Sequence, residues 1–271
     1  MENRLKVLFV GDVVGPSGLE ILQSELPKIK NKYNVDFTIV NGENSANGRG
    51  ITEDEAKIIY EAGANVITTG NHVWDNWRSK PLLANDANMI RPLNYPQGNV
   101  GKGFLFYQLG DVKIAVLQLQ GRTFMQTIDC PFKAAEFALK HFEDKTNIII
   151  VDFHADATAE KVSMAWFLDG KVSALVGTHT HIPTADAVIM PRGTAYITDV
   201  GMTGPFDSVV GLRKDVALKR FLLQTAHKYE NAENDNKLCG VYIEIDKATG
   251  QAYKIEQIIS PKFENEVGTM E

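Results

Sequence analysis

The sequence predicts an α/β protein in which two mixed β-sheets pack face to face between outer helices, an α-β-β-α sandwich. Near the N-terminus, short β-branched runs alternate with helical patterns, which is typical of βαβ units and a parallel sheet. These runs cover residues 6–10, 37–40 and 66–69, and each ends in a polar corner that contains glycine. Farther along, residues 104–109 and 112–119 flank a tight Gly110-Asp111 turn, so a β-hairpin and a second sheet are expected there.

The remaining elements follow from hydrophobic periodicity and capping signals. The first helix carries four apolar residues on one face, Leu19, Leu22, Leu26 and Ile29. Thr52-Glu-Asp-Glu55 is a capping box that opens the second helix. The later predicted elements are helices near residues 132–142, 160–167 and 212–228, buried strands at 148–153 and 172–176, and hairpins about 191–193 and 247–250. No internal repeat or low-complexity linker interrupts this order, so residues 1–271 are predicted to form a single domain.

Composition favours a compact globular protein. Of the 271 residues, 44% are hydrophobic and 23% are charged, values that disordered and multispanning membrane proteins do not show. The net charge is −6 without any run of Lys or Arg, which disfavours non-specific binding to long nucleic acids. The apolar run at residues 7–10 is too short for a signal peptide and no segment could span a bilayer, so we expect a cytoplasmic protein without membrane contact.

The chain has two cysteines, Cys130 and Cys239, which are far apart in sequence. Neither belongs to a zinc-finger or CxxC spacing, and this usage suits a reducing cytosol. We interpret both as thiols of the hydrophobic core.

Side chains with metal-compatible donor atoms follow five of the predicted strands. They are Asp12, the pair Glu43 and Asn44, the pair Asn71 and His72, then His154, and the pair His179 and His181. Ligand sites of open α/β sheets gather at the carboxyl ends of the strands, so we expect these side chains to converge. Oxygen and imidazole donors without thiolates suit Mn, Fe or Zn, and a carboxylate such as that of Glu43 can bridge two ions. The set therefore predicts a site for two metals.

Each of these residues also has a structural interpretation. Asp12 could cap the turn that follows the first strand, and His154 could be an ordinary half-buried histidine. Asn71 and His72 could belong to a polar turn whose hydrogen bonds are satisfied locally.

The two C-terminal histidines of the set, His179 and His181, are separated by one residue. Alternate residues of a strand point to the same face, so both imidazoles could share a ligand. In the alternative interpretation, one of the two is structural.

The order of these residues resembles the motif series of the calcineurin-like metallophosphoesterase superfamily. That series is an Asp after the first strand, an acidic motif after the second, Gly-Asn-His after the third, a lone His, and Gly-His-x-His. The corresponding residues here are Gly11-Asp12, Gly42-Glu43-Asn44, Gly70-Asn71-His72, His154 and Gly177-Thr178-His179-Thr180-His181. Three positions depart from the series, because Val14 stands where a histidine is usual, Glu43 replaces an Asp, and Thr178 is inserted.

With these three departures, the sequence resembles one branch of that superfamily, the bacterial YmdB-type cyclic-nucleotide phosphodiesterases. The characteristic strings of this branch are similar to residues 41–48, 69–75, 152–156, 177–183 and 198–204. The likeness therefore extends from about residue 6 to beyond residue 204.

This resemblance implies a ligand set and a catalytic residue. One metal would be held by Asp12, Glu43, Asn44 and His181, and the other by Glu43, Asn71, His154 and His179. His72 would remain free of metal and would protonate the leaving oxygen or stabilise the phosphorane. The family further implies iron first, with manganese or zinc as alternatives, and attack of a metal-bridging hydroxide on the phosphorus of 2′,3′- or 3′,5′-cyclic nucleotides.

Five neighbouring residues have two interpretations each. Asp75 could orient the imidazole of His72 or stabilise a helix N-terminus. Trp74 and Trp77 could stack on a nucleobase, although core packing is favoured. Arg49 and Arg122 could bind phosphate or be solvated loop residues.

Several functions remain open beside a cyclic-nucleotide phosphodiesterase, because fold and metal set do not determine the substrate. A phosphomonoesterase or protein phosphatase would use the same metals, and an RNA-directed phosphodiesterase is weakened but not excluded by the acidic charge. A regulatory scaffold without catalysis is the alternative from another class, and self-association into a homo-oligomer is left open.

Overall fold

The computed structural model describes residues 3–263, so residues 1–2 and 264–271 of the predicted domain lie outside the described part. Its elements in chain order are β1 Arg4–Val10, α1 Gly15–Tyr33, β2 Phe37–Asn41, α2 Glu53–Ala62, β3 Val66–Thr68, a 3₁₀ helix Asn71–Trp74, α3 Ser79–Asn85, β4 Phe104–Leu109, β5 Val112–Gln120, α4 Pro131–Phe142, β6 Ile148–His154, α5 Thr158–Leu168, β7 Ala174–Thr178, β8 Val188–Ile189, β9 Ala195–Ile197, β10 Gly204–Pro205, α6 Lys214–Leu223, β11 Asn236–Asp246 and β12 Ala252–Ser260. Within residues 3–263, none of the helices has the length and apolar character that crossing a membrane requires.

The strands form two mixed six-stranded sheets. In the first sheet β1, β2 and β3 are parallel, and β11 pairs antiparallel with β1, β10 and β12. In the second sheet β5, β6, β7 and β9 are parallel, with β4 and β8 antiparallel at the edges. The register places Val10 beside Val40 and His154 beside Thr178, so the parallel strands of each sheet end together.

Strand β1 illustrates how the layers are built. Val7 and Phe9 point into the core between the two sheets, whereas Leu8 and Val10 pack on the side of α1 and α2. A strand covered on both faces needs apolar residues at every position, which explains the continuous apolar run in the sequence. Helices α4 and α5 cover the outer face of the second sheet. The layers are therefore helix, sheet, sheet and helix, and the predicted sandwich is confirmed.

The capping box and both later hairpins lie where the sequence predicts them. The backbone N–H of Thr52 donates to Glu55 Oε2 at 2.8 Å, at the start of α2. Strands β8 and β9 flank residues 191–193, and β11 and β12 flank residues 247–250.

The last predicted helix is wrong in its extent. It was expected over residues 212–228, but α6 ends at Leu223. Gln224 has a φ of 52°, and a residue in the left-handed region ends a helix. The buried strand expected at 172–176 is shifted by two residues. Strand β7 runs to Thr178 and so carries the chain farther toward the edge of the sheet.

The two cysteines differ in burial. Cys239 is buried on β11, and burial raises the pKa of its thiol to about 12. Cys130 is half-buried, with Sγ 3.5 Å from Nη2 of Arg122. The interpretation of Cys130 as a core thiol is wrong, because it precedes α4, which packs through later residues such as Ala135.

The layer assignment predicts a contrast between two leucines. Leu117 on β5 is fully buried beneath the outer helices, whereas Leu222 on α6 is 78% exposed. Leu117→Ala should lower the free energy of unfolding by about 2–5 kcal/mol because it leaves a cavity in a packed core. Leu222→Ala should change it by less than about 0.5 kcal/mol. Urea unfolding followed by circular dichroism measures both, and equal losses would contradict the assignment.

Candidate metal centre

The carboxyl ends of both sheets bring the predicted donor residues together. The first sheet supplies Asp12 after β1, Glu43 and Asn44 after β2, and Asn71 and His72 in the 3₁₀ helix after β3. The second sheet supplies His154 at the end of β6, and His179 and His181 after β7. Carboxylate and amide donors therefore come from one sheet, and three imidazoles come from the other.

The Nε2 atom of His154 lies at the centre of one donor cluster. It is 2.8 Å from Glu43 Oε1, 3.1 Å from Asn71 Oδ1 and 3.0 Å from His179 Nδ1. The ligand atoms of Glu43, His154 and His179 all lie within 4.8 Å of one another. Two oxygens and two nitrogens that face one point suit a divalent transition metal. These four residues are the set that the family resemblance implies for one of the two metals.

The other implied set is less tightly gathered. Nδ2 of Asn44 lies 3.3 Å from Glu43 Oε1 and 3.1 Å from His181 Nε2. Asp12 Oδ1 is 3.7 Å from His154 Nδ1, and it has no hydrogen-bond partner among the described residues.

Asp12 shows that these residues fit a cation. Its side chain is completely buried, and burial raises the pKa of its carboxyl. Its Oδ2 accepts from the backbone N–H of His179 at 3.0 Å, which leaves Oδ1 as a buried acceptor without a donor among the described residues. Such an oxygen costs free energy unless a cation or a donor compensates it, and a metal ion would do so.

The charges in the cluster determine the protonation state of each donor. Burial raises the pKa of Glu43, but the charge of His154 and its hydrogen bond to Glu43 lower it, and the resulting pKa is about 2. Burial lowers the pKa of His154, but Glu43 and Asp12 raise it to about 9. Burial and the charge of His154 together lower the pKa of His179 to about 3. At pH 7 Glu43 is thus ionised and His179 neutral, the protonation states that bind metals, whereas His154 carries a second proton that a metal ion would have to displace.

The segment from His179 to His181 corrects one step of the sequence argument. Strand β7 ends at Thr178, and the two histidines have φ values of 96° and 68° instead of extended backbone. The expectation that both imidazoles share a strand face is therefore wrong. His179 turns toward His154, and His181 turns toward Asn44, so the pair reaches both donor sets.

His72 lies beside the cluster and outside it. Its backbone N–H donates to Glu43 Oε2 at 3.1 Å, and its side chain is partly exposed. Its Nδ1 is 2.8 Å from Asp75 Oδ2, so Asp75 orients the imidazole. The alternative role of Asp75 at a helix N-terminus is wrong, because it follows the 3₁₀ helix and α3 starts later, at Ser79.

The aromatic and basic neighbours divide between the site and the surface. Trp74 packs at 5.2 Å from the Tyr95 ring, but Trp77 is 73% exposed, so core packing is wrong for Trp77. Trp77 lies in the turn between the 3₁₀ helix and α3. Arg49 Nη1 is 3.9 Å from Asp75 Oδ2, so this arginine lies beside the pair formed by His72 and Asp75.

Asp152 is a buried carboxylate under the site, and sequence reasoning did not assign it a function. Its Oδ2 accepts from Asn41 Nδ2 at 3.0 Å and from Thr68 Oγ1 at 2.6 Å, both in the first sheet. Its Oδ1 accepts from Thr178 Oγ1 at 2.7 Å in the second sheet. Burial raises the pKa of Asp152 to about 7, against the opposing effect of His154. The available signal was an acidic residue in the otherwise apolar run of β6.

The hydroxyl of Thr178 determines which nitrogen of His154 carries the proton. A hydroxyl has one hydrogen, and Thr178 donates it to Asp152. Thr178 Oγ1 therefore accepts from His154 Nδ1, which is 2.9 Å away. When His154 loses its second proton to bind a metal ion, its lone pair is therefore at Nε2, where Glu43, Asn71 and His179 converge.

The hydrogen bonds from His154 to Thr178 and from Thr178 to Asp152 form a relay. This relay predicts the effect of Thr178→Val, which keeps the shape of the side chain and removes its oxygen. Metal affinity should fall by about 10–100-fold because the orienting partner of His154 is lost. Thr38→Val is the matched control, since Thr38 is equally buried and its hydroxyl has no partner among the described residues. Titration of chelator-stripped protein with Mn²⁺ measures both variants. Equal affinity in Thr178→Val and Thr38→Val would refute the relay.

Comparisons with known proteins find relatives along nearly the whole chain. A family model described as YmdB-like protein matches residues 8–258. The 2′,3′-cyclic-nucleotide 2′-phosphodiesterase of Bacillus subtilis (strain 168) is 44% identical over 255 residues, which cover 94% of this chain and 97% of that protein. The crystal structure of a novel phosphatase from Mycoplasma pneumoniae is 36% identical, with a TM-score of 0.91 over 96% of this chain and 94% of that chain. A hypothetical protein from Thermus thermophilus is 38% identical, with a TM-score of 0.87 over 94% of this chain and 98% of that chain.

The family match covers most of the chain, and the Bacillus subtilis relative is similar along nearly its whole length. Both findings confirm the resemblance that the strand-end motifs indicate. The chain therefore belongs to the family of YmdB-like proteins.

Proposed function

We propose that this protein is a metal-dependent phosphodiesterase that hydrolyses cyclic nucleotides at a site for two metal ions. The observation that carries the proposal is the convergence of Glu43, Asn71 and His179 on Nε2 of His154. The 2′,3′-cyclic-nucleotide 2′-phosphodiesterase of Bacillus subtilis supports the substrate class, and we favour 2′,3′-cyclic over 3′,5′-cyclic nucleotides for this reason.

The proposed ligands fall into two sets that share Glu43. One set is Asp12, Glu43, Asn44 and His181, and the other is Glu43, Asn71, His154 and His179. Bound metal ions, with iron favoured over manganese or zinc, would supply positive charge for the phosphoryl oxygens and acidify a water molecule. The buried, ionised carboxylate of Glu43 suits a position between two cations.

The proposed role of His72 is to donate a proton to the leaving oxygen of the substrate. Asp75 holds Nδ1 of the imidazole, which leaves Nε2 for the substrate. The contact of the His72 backbone N–H with Glu43 Oε2 ties this proton donor to the ligand cluster. General acid catalysis needs such fixed placement, because the donor must meet the leaving oxygen as the bond breaks.

The proposal also covers the whole chain. We propose that residues 1–271 act as one domain, because the core between the sheets receives residues from β1 to β12. A cytoplasmic location stays a prediction from the sequence. So do self-association and the weaker alternative of an RNA substrate.

A phosphomonoesterase is the second candidate. The description of the Mycoplasma pneumoniae structure as a phosphatase favours it, and the same donor set would serve it. A regulatory scaffold is disfavoured by the donor atoms that converge on His154 and by the partly exposed His72 beside them.

A substrate panel tests the proposed function. Protein purified without chelator is analysed for bound metal by mass spectrometry and assayed with 2′,3′-cAMP, 3′,5′-cAMP, bis-p-nitrophenyl phosphate and p-nitrophenyl phosphate. We expect bound metal and hydrolysis of the diesters, with loss of activity after chelation because the site would lose its cations. Preference for p-nitrophenyl phosphate would identify a monoesterase. Inactivity of metal-loaded protein on all four compounds would identify a scaffold.

Substitution of the proposed proton donor provides a separate test. His72→Ala should slow turnover of the preferred diester by about 10²–10⁴-fold, with unchanged metal content, because general acid catalysis is lost. His141→Ala on the surface of α4 is the matched control and should retain full activity. Steady-state kinetics and metal analysis on the same preparations measure both effects. Full turnover of metal-loaded His72→Ala would remove His72 from the mechanism.

A further inference from the structure

We propose that the buried ion pair between Lys161 and Asp199 is a positioning device that holds the backbone of Thr180 and thereby aims His179 and His181 at the metal centre. The proposal rests on the proposed metal-dependent function, and it adds two residues, Lys161 and Asp199, that the predicted ligand set does not contain. The device acts through the backbone of the segment His179 to His181, not through contact with substrate.

The segment needs external support because its backbone is strained. His179 and His181 have φ values of 96° and 68°, and residues with a Cβ atom rarely adopt this region. Such conformations persist only where the surrounding structure holds them. Thr180 lies between the two strained residues, so a contact that restrains Thr180 restrains both.

Asp199 supplies that restraint through a single oxygen. Its Oδ2 accepts from the backbone N–H of Thr180 at 3.0 Å and from the Thr180 hydroxyl at 2.7 Å. The same oxygen is 2.8 Å from Nζ of Lys161, on α5. Its Oδ1 accepts from the backbone N–H of Gly201 at 2.8 Å. Both oxygens are therefore used, and Thr180 is held by two bonds from one residue.

Asp199 is itself fixed in place by the chain around it. Its backbone N–H donates to Thr184 Oγ1 at 3.0 Å, and its carbonyl accepts from the Thr184 backbone N–H at 3.0 Å. The backbone N–H of Met202 donates to the carbonyl of His181 at 3.0 Å. The segment after β9 thus lies alongside the segment after β7 and holds it at two points.

Lys161 explains how a further buried carboxylate, that of Asp199, is accommodated close to this site. The side chains of Lys161 and Asp199 are 1% and 0% exposed, and a buried charge needs a partner of opposite sign. Asp12 and Glu43 already place buried carboxylates in the centre, and another unpaired negative charge would repel them. With Lys161 as its partner, Asp199 restrains Thr180 without adding net charge.

Thr180→Val separates this role from simple stabilisation of the fold. The substitution keeps the volume and the Lys161–Asp199 pair, and it removes one of the two bonds that hold Thr180. Thr180→Ser keeps the hydroxyl and serves as the conservative rescue. Thr38→Val again controls for loss of a buried threonine hydroxyl.

A double variant tests the contribution of the two buried charges. Lys161→Met combined with Asp199→Asn removes both buried charges and keeps the approximate side-chain sizes. Lys237→Met is its control, since Lys237 is equally buried but contacts Asp235 and the Phe263 ring instead.

The first measurement uses chelator-stripped protein, so it does not depend on metal or activity. Imidazole ¹⁵N spectra should show changed resonances of His179 and His181 in Thr180→Val, and wild-type resonances in Thr180→Ser and Thr38→Val. The exposed His141 should be unchanged in every variant. If the His179 and His181 resonances of Thr180→Val match the wild type, the proposal is overturned.

The second measurement is Mn²⁺ affinity by titration calorimetry. Thr180→Val and the double variant should each lose about tenfold or more, the size expected when a partner that orients ligands is removed. Thr180→Ser, Thr38→Val and Lys237→Met should bind as the wild type does. Wild-type affinity in Thr180→Val would overturn the proposal, and this variant decides the outcome if the double variant does not fold. A wild type that binds Mn²⁺ but leaves every diester intact would refute the phosphodiesterase and not the positioning pair.

Discussion

The candidate metal centre depends on one buried carboxylate that joins the two sheets beneath it. Asp152 belongs to the second sheet, and it accepts from Asn41 and Thr68 in the first and from Thr178 in its own. A buried carboxylate without donors would be costly, so these three hydrogen bonds keep the carboxyl ends of both sheets at one separation. Because the acidic and amide donors come from one sheet and His154 with its neighbours from the other, that separation determines whether a common site exists at all.

Three of the four histidines of the site share one arrangement, and His179 is the exception because its Nδ1 faces Nε2 of His154. In His72, His154 and His181, Nδ1 lies 2.8 or 2.9 Å from an oxygen: a carboxylate, a hydroxyl and a backbone carbonyl respectively. Each of these three imidazoles therefore has Nδ1 anchored by the chain, which leaves Nε2 for other contacts. Anchoring of this kind selects the tautomer and orients the ring, which improves metal binding for a ligand and proton transfer for an acid. The chemistry of the site thus depends as much on the anchoring oxygens as on the histidines.

Much of the fold could be predicted from local pattern, whereas burial and the extent of the last helix could not. The βαβ order, the central hairpin and the capping box at Thr52 depend on short-range periodicity and turn chemistry, which the sequence carries directly. Burial was misjudged for Cys130 and Trp77, and the last helix was drawn too long beyond Leu223. For Cys130 and Trp77 the outcome depends on whether another layer covers the residue, and a single sequence contains no such information. The helix ends at the left-handed backbone of Gln224.

The sequence by itself determined which donor atoms the protein has and that they follow strand ends, because strand propensity and polar corners are local properties. It also determined the family, since the motifs retain their order from Gly11 to His181. Only the tertiary structure decided which of these atoms face one another, and it turned His179 and His181 to different sides through a left-handed backbone. It alone revealed Asp152 and Asp199 as supports, because their partners lie on other strands and helices. Long-range packing, not local preference, sets such distances.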